Sequence, residues 1–232
     1  MAQVYAYTLG MSKKTTAPKL PVNAVIEAAG RLAEQDGLSA ISMRRVAAML
    51  GVTPMALYRH VEGIEQLRAA VVDRVIPATG RPVAPTAPPE AVLAWFGTEL
   101  FDILTSHPLV LEAYLIQPLT SPRLRRLSET ALAALTSAHL TAEEVAVCHK
   151  SLVALAVGYA ALHLKWHRDG PPSAERIGAV VAAIRHGASD EGFTVLAEMA
   201  HHLAAPYTKA HYQRALHQLI AGMNLPKPNP CP

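Results

Sequence analysis

The sequence predicts an all-α protein, on three observations. Apolar residues make up 51% of the 232 positions and charged residues only 17%, which is a composition that folds. Aromatic residues reach just 5% and β-branched runs are scarce, while Ala, Leu, Val, Arg and Glu dominate. Apolar residues also recur at the spacing of a helix face. The length allows one large domain or two modest ones.

The N-terminal region is predicted to contain a flexible arm followed by a helix. Residues 1–19 show no sustained period, so we expect a mobile arm there. A helix is predicted from Pro21, suited to a first turn, to Gly37, a typical helix stop. Its apolar face consists of Val22, Val25, Ile26, Ala29, Leu32 and Ala33.

Three shorter helices are predicted next. Ser42 is expected to cap a helix over 43–50 that ends at Gly51, and Thr53 to cap another that begins at Pro54. A fourth helix is expected from about Glu62 to about Val75. The four helices together predict an N-terminal domain over 20–76.

A proline-rich linker is predicted over 77–90, because five prolines fall within thirteen residues of that stretch. A larger helical domain is expected over 91–223, followed by a flexible tail over 224–232 whose prolines cannot continue a helix. The helices after the linker are predicted at about 89–106, 108–117, 122–138, 141–168, 172–187, 191–204 and 207–223.

The second and third helices match a helix-turn-helix pattern. Ala47 allows the helices to cross closely, Gly51 permits a left-handed turn, and Val52 and Leu57 pin the second helix. The opposite face of that helix presents Met55, Tyr58 and Arg59, whose groups suit bases and phosphates. The alternative is a plain helix corner without a DNA-binding role.

The run GLSAISMRRVAAMLGVTPMALYRHVEGIEQLRAAVVDRV, with its LYRHV segment, resembles the DNA-binding domain of the TetR family of transcriptional regulators. The resemblance covers about residues 20–76. It implies a homodimer that binds a palindromic double-stranded DNA operator. It further implies a repressor released by a small-molecule effector in the C-terminal domain, although an activator is also possible.

The resemblance also implies which residues touch DNA. Arg44 matches a position from which the second helix reaches a base, and Arg45 beside it is expected to be solvated. The recognition helix would contribute the remaining DNA contacts, with a helix-end packing role as the alternative for the last of them: Thr53, Met55, Tyr58, Arg59 and His60.

Charge placement agrees with a DNA-facing N-terminus, with one departure. Residues 1–80 hold nine Lys or Arg and six Asp or Glu, whereas the remaining residues hold twelve of each. The family usually has a lysine near the start of the fourth helix, where this chain has Ile64. Phosphate binding is then expected to depend on Arg59, helix N-termini and the arm's Lys13, Lys14 and Lys19.

Two helices of the C-terminal domain are predicted to form a dimer interface, as the resemblance implies. One is apolar nearly all round from Leu152 to Leu164 and carries a stripe of small residues, and the last helix carries one apolar stripe. The alternative is that both belong to the core of one protomer. The predicted interface residues are Ser151, Ala154, Gly158, Ala161, Tyr212, Leu216 and Leu219.

Large aromatic residues are candidates for an effector pocket, because such pockets are mostly apolar with a few polar groups. An ordinary packed core is the alternative for each of them. The candidates are Trp95, Phe96, Phe101, Tyr114, Tyr159 and Trp166.

The histidines suggest a competing function, a helical metalloenzyme. His163 and His167 lie four residues apart and could chelate a metal, but Leu164 and Lys165 follow the first of them where a metallohydrolase would place its glutamate. Paired carboxylates, a phosphate loop and a nucleophile elbow are absent from the sequence. We therefore expect no cofactor, no metal and no enzymatic activity.

The remaining features favour a cytoplasmic protein that does not bind membranes. We expect no apolar run to reach the roughly 18 residues that span a bilayer. The first twenty residues also lack a secretory signal pattern. The two cysteines, Cys148 and Cys231, are too few for a disulfide framework.

Overall fold

The computed structural model describes residues 20–76, 84, 87–116, 121–223 and 225. Within this part of the chain it contains eleven α-helices, one short 3-10 helix and no strand. The prediction of an all-α fold is therefore confirmed. The predicted arm, most of the predicted linker, Cys231 and nearly all of the tail lie outside the described residues.

The N-terminal helices follow the sequence closely. The elements are α1 (Val22–Asp36), the 3-10 helix (Leu38–Ala40), α2 (Met43–Leu50), α3 (Pro54–Leu57) and α4 (Ile64–Val75). The C-terminal elements are α5 (Pro89–Ser106), α6 (Pro108–Ile116), α7 (Pro122–Ser137), α8 (Ala142–His167), α9 (Ala174–Asp190), α10 (Thr194–Leu203) and α11 (Lys209–Ala221).

Local side-chain chemistry sets several helix ends. The Ser42 hydroxyl accepts a hydrogen bond from the Arg45 backbone N–H at 3.2 Å, as predicted for an N-cap. Gly51 ends α2 with a φ of 65°, which favours glycine. Thr53 occupies the N-cap position of α3, but its side chain makes no capping hydrogen bond, contrary to the prediction. Thr141 and Glu144 form a capping box that starts α8.

The N-terminal domain packs α1 against α2 and α4 around one small core. Val25, Ala28 and Ala29 on α1 are fully buried, and Leu57 and Leu67 are fully buried on α3 and α4. Helices as short as α2 and α3 are unstable in isolation, so this core holds them in place.

The C-terminal domain is built around α5, which packs against α6, α7, α8 and α11. Its inner residues Phe96, Leu100 and Leu104 are almost completely buried. The buried core continues into the N-terminal domain through residues of α4 and α6, including Val72 and Leu111. The N-terminal and C-terminal regions therefore share one hydrophobic core in the described structure.

Helices α9 and α10 form a hairpin with a small core of its own, made by Val181, Ala200 and Ala204. The outward face of α10 exposes several large apolar side chains, among them Phe193, Val195 and Leu203. This hairpin is therefore set apart from the α5 core.

Helix α8 is long and apolar enough, by length and composition alone, to cross a membrane. This differs from the prediction that no apolar run reaches that length. Core helices of globular domains pass the same test, and α8 packs against α5, α7 and α11. Only 28% of its most apolar window is buried within the protomer, so much of α8 faces outward.

Candidate nucleic-acid interface and effector region

The helix-turn-helix is held by a tight turn and two buried contacts. The Val52 backbone N–H donates to the Ala47 carbonyl at 3.0 Å across the Gly51 turn. Ala47 is buried where α2 packs, and the Leu57 side chain is completely buried. These contacts fix which face of α3 points away from the core.

The outward face of α2 and α3 collects the predicted DNA-binding residues. Met55 and Tyr58 are 71% and 52% exposed, which is unusual for large apolar side chains. Arg44, Thr53 and Arg59 are also exposed. The two guanidinium groups have no ion pair or side-chain hydrogen bond in the described part of the chain. A polar, cationic and partly aromatic surface without internal partners is thus available to a ligand.

The flanking residues have structural contacts. His60 is half-buried, and its backbone N–H donates to the Leu57 carbonyl at 2.8 Å. Arg45 is exposed, as expected, and it also forms an ion pair with Asp36 at 2.6 Å and donates to the Ala40 carbonyl at 3.3 Å. Ile64 is half-buried and packs against the core.

The aromatic candidates for an effector pocket are split among different environments. Phe101 stacks on Tyr212 with ring centroids 4.3 Å apart, and Tyr159 meets the Tyr212 ring edge-on at 5.6 Å. Tyr114 is 7% exposed, and burial raises its pKa to about 12. These rings are packed core groups in the described structure.

Two of the other three candidates have a histidine ring or a cation as their neighbour. Phe96 contacts His149 at a ring distance of 5.4 Å, and burial lowers the pKa of His149. Trp166 lies under the Arg176 guanidinium at 4.8 Å, and Trp95 is half-buried. The six residues therefore have several different sets of neighbours.

Two residues predicted for the dimer interface are core residues of the protomer. Tyr212 and Leu216 are completely buried, and the Tyr212 hydroxyl donates to the Gly97 carbonyl at 2.6 Å. Because their side chains pack against α5, they cannot contact a second copy. The apolar stripe on α11 correctly predicts a buried face. That face packs against α5 of the same protomer and not against a second copy.

The remaining interface candidates are accessible. Ala154 and Gly158 are exposed on α8, and Ser151, Ala161 and Leu219 are half-buried. A side chain built at Gly158 meets no atom within 4 Å. The small-residue face of α8 is therefore open within one protomer.

The histidine pair is held by ring stacking and by two backbone carbonyl groups. The rings of His163 and His167 stack at 4.1 Å, and their Nδ1 atoms lie 2.7 and 2.8 Å from the Tyr207 and His163 carbonyl oxygens. No group of three His, Cys, Asp or Glu side chains suited to a metal occurs among the described residues.

Two carboxylates that the sequence did not single out connect the two regions. Glu112 on α6 accepts from the Leu38 backbone N–H through both oxygens at 3.2 Å. Asp73 on α4 accepts from the Ser121 hydroxyl at 2.5 Å and the Arg123 backbone N–H at 3.0 Å. No local pattern signals these contacts, because their partners are 48 to 74 residues away.

Comparison with known proteins places this geometry in a family. The family model described as bacterial regulatory proteins, tetR family, matches residues 25–71. The N-terminal domain is a helix-turn-helix domain of the tetR type. The matched residues span α1 to α4, and the curated relatives that the chain matches are named HTH-type transcriptional repressor or regulator.

Two curated proteins are also similar in sequence to this chain. The transcriptional repressor DrrR1 of Streptomyces coeruleorubidus is 35% identical over 106 residues, covering 45% of this chain and 39% of its own length. An HTH-type transcriptional regulator of Saccharopolyspora erythraea is 26% identical over 209 residues, covering 90% and 86% of the two chains.

A solved TetR-family structure shares the fold. ActR of Streptomyces coelicolor, solved in complex with (S)-DNPA, superposes with a TM-score of 0.69 at 20% sequence identity. The match covers 89% of this chain and 98% of ActR. The likeness therefore extends beyond the helix-turn-helix to the helical C-terminal domain.

Proposed function

We propose that this chain is a ligand-responsive repressor that binds a palindromic operator as a homodimer and is released by a small apolar or aromatic molecule. The observation that carries the proposal is the outward face of α2 and α3. Arg44 and Arg59 have no internal partner in the described residues, and Met55 and Tyr58 beside them are exposed. The protein would act in the cytoplasm, where its DNA target lies.

Within that face, Arg44 and Tyr58 are proposed to reach base edges. An arginine can donate two hydrogen bonds to guanine, and a tyrosine offers both a ring and a hydroxyl. Thr53, Met55, Arg59 and His60 are proposed to complete the contacts to bases or phosphates. Phosphate contacts orient the helix, whereas base contacts choose the sequence.

The dimer is proposed to form along α8. Its small residues Ala154 and Gly158 are exposed, and only 28% of its most apolar stretch is buried within the protomer. A second copy packed on this face would bury that surface and allow close helix contact. Two recognition helices about 34–36 Å apart would then fit successive major grooves.

Two observations support a ligand-sensing role for the C-terminal domain. They are its similarity to known proteins and its contacts with the N-terminal domain. ActR was solved with a small molecule bound, and DrrR1 is named a repressor. In this chain, α4 joins the two regions and α6 contacts both α4 and the 3-10 helix. A ligand that moves α6 would therefore change the separation of the recognition helices.

The test begins with genomic fragments retained by the protein, measured by fluorescence anisotropy. We predict that Arg44→Ala and Tyr58→Ala each weaken binding by roughly 1–3 kcal/mol while leaving helicity intact. Arg185→Ala, an exposed arginine on α9, is the control and should bind as the wild type does. Unchanged affinity in both test variants would contradict the proposed recognition face.

A further inference from the structure

A groove lies between α6 and the C-terminal end of α8. Its volume is about 610 Å³, within the range of small-molecule sites. The apolar part of its wall includes Leu111 and Leu115 from α6 and Leu164 from α8. Leu115 is 65% exposed, so an apolar surface is open to solvent there. None of the six aromatic candidates lines this groove.

Two cations border the apolar wall at the end of α8. Lys165 and Arg168 both line the groove and are both exposed. Neither side chain has an ion pair or hydrogen bond in the described part of the chain. Two neighbouring positive charges without a partner favour a negatively charged group.

Another residue, Arg176, already makes the contacts that cations usually make at a helix C-terminus. Cations near a helix C-terminus often bind its last carbonyl groups. Here the Arg176 guanidinium from α9 donates to the Trp166 and Lys165 carbonyls at 3.0 and 3.3 Å. The side chains of Lys165 and Arg168 are therefore not needed to cap α8.

The opposite wall contains Glu112, whose carboxylate faces both the groove and the 3-10 helix. A negative group in the groove would be repelled by this carboxylate and attracted by the α8 cations. The charges thus define an orientation, with the anion at the α8 end and the apolar body along α6.

We propose that this groove binds a small amphipathic anion, with an apolar body on the leucine wall and a carboxylate, sulfonate or phosphate group at Lys165 and Arg168. The inference rests on the proposed function in one respect, because it makes this molecule the effector. Glu112 then connects an occupied groove directly to the Leu38 backbone of the DNA-binding domain.

The test uses two dyes with the same aromatic body. Anilinonaphthalene sulfonate carries a negative group, and phenylnaphthylamine does not. We expect Lys165→Gln/Arg168→Gln to weaken sulfonate-dye binding roughly tenfold or more in a fluorescence titration, with little change for the neutral dye. The control Lys150→Gln/Arg185→Gln removes the same charges elsewhere and should leave both titrations unchanged.

A second variant tests the groove without removing a cation. Leu115→Glu places a negative charge on the exposed wall, where folding should tolerate it, and is expected to abolish sulfonate-dye binding. Unchanged sulfonate-dye affinity in the Lys165/Arg168 variant would overturn the proposal, as would equal losses for both dyes. Thermal melting of every variant shows whether the fold is retained.

The dye titration contains no DNA, so the two proposals fail separately. A chain that binds the dye in the groove but retains no genomic fragment supports the groove and contradicts the proposed function. A chain that retains operator fragments but shows no groove-dependent dye binding contradicts the groove alone.

Discussion

Gly97 lies on α5 under the side chains of α11. A methyl group at this position would lie 2.7 Å from Leu216 Cδ1 and 3.0 Å from the Tyr212 hydroxyl oxygen. The same tyrosine donates to the Gly97 carbonyl at 2.6 Å. One missing side chain therefore sets how closely the two helices pack.

We predict that Gly97→Ala lowers the free energy of unfolding by about 1–3 kcal/mol, because Leu216 and Tyr212 are completely buried and have little room to move. Urea denaturation would measure the change. Gly178→Ala is the control, since no atom lies near that position on α9 and alanine favours a helix. Equal effects in the two variants would show that α11 does not pack as described.

Ile64 occupies the position at the start of α4 where the family pattern usually has a lysine. Its side chain is half-buried against the core of the N-terminal domain. We expect Ile64→Lys to lower the free energy of unfolding by about 1 kcal/mol through lost apolar burial. The dependence of operator affinity on salt should stay the same.

Thermal melting and a salt titration of operator binding measure the two effects at Ile64. Ile64→Leu keeps the apolar contact and serves as the control. A slope steeper by about 0.9 without loss of stability would instead indicate a regained phosphate contact.

At the scale of elements, α8 has two different environments. Leu152, Ala156 and Ala160 are completely buried toward the protomer core. Ala154 and Gly158 face outward with no internal contact at the glycine. A substitution on the outward face therefore reports on association without disturbing the protomer.

We predict that Gly158→Leu disrupts the proposed dimer, because the added side chain separates helices that the small residues allow to approach. Sedimentation velocity should show a monomer, and operator affinity should fall because two linked half-sites bind more tightly than one. Gly178→Leu on α9 is the matched control and should leave association unchanged. A persistent dimer in Gly158→Leu would place the interface elsewhere.

At the scale of the whole molecule, polar contacts add to the shared core in connecting the two regions. Asp73 of α4 accepts hydrogen bonds at the start of α7, and Arg123 of α7 also donates to the Ile76 carbonyl. Glu112 of α6 holds the 3-10 helix through Leu38. The C-terminal domain therefore contacts the N-terminal helices directly through both polar and apolar groups.

We predict that Asp73→Ala lowers the free energy of unfolding by about 1–3 kcal/mol, because the buried Ser121 hydroxyl and the half-buried Arg123 group lose their acceptor. Asp36→Ala, which breaks the exposed pair with Arg45, is the control and should cost less than about 1 kcal/mol. Urea denaturation compares the two. Similar small losses of stability in both variants would show that the Asp73 hydrogen bonds at the start of α7 contribute little.

Local sequence signals account for the positions of the helices and for the exposed recognition face. Ser42, Gly37 and Gly51 act on backbone groups only a few residues away, and the helical period depends on near neighbours. The register from Ala47 to Leu57 fixes the outward face of α3 for the same reason. These features could be predicted because they require no knowledge of distant contacts.

The tertiary structure alone decided which element covers each apolar face. The α11 stripe predicts that Tyr212 and Leu216 are buried, but only packing shows that α5 covers them. Likewise, Glu112 and the two cations at the end of α8 look like ordinary surface charges in the sequence. Periodicity reports that a face is buried or exposed, whereas the identity of its neighbour depends on contacts between residues far apart in the chain.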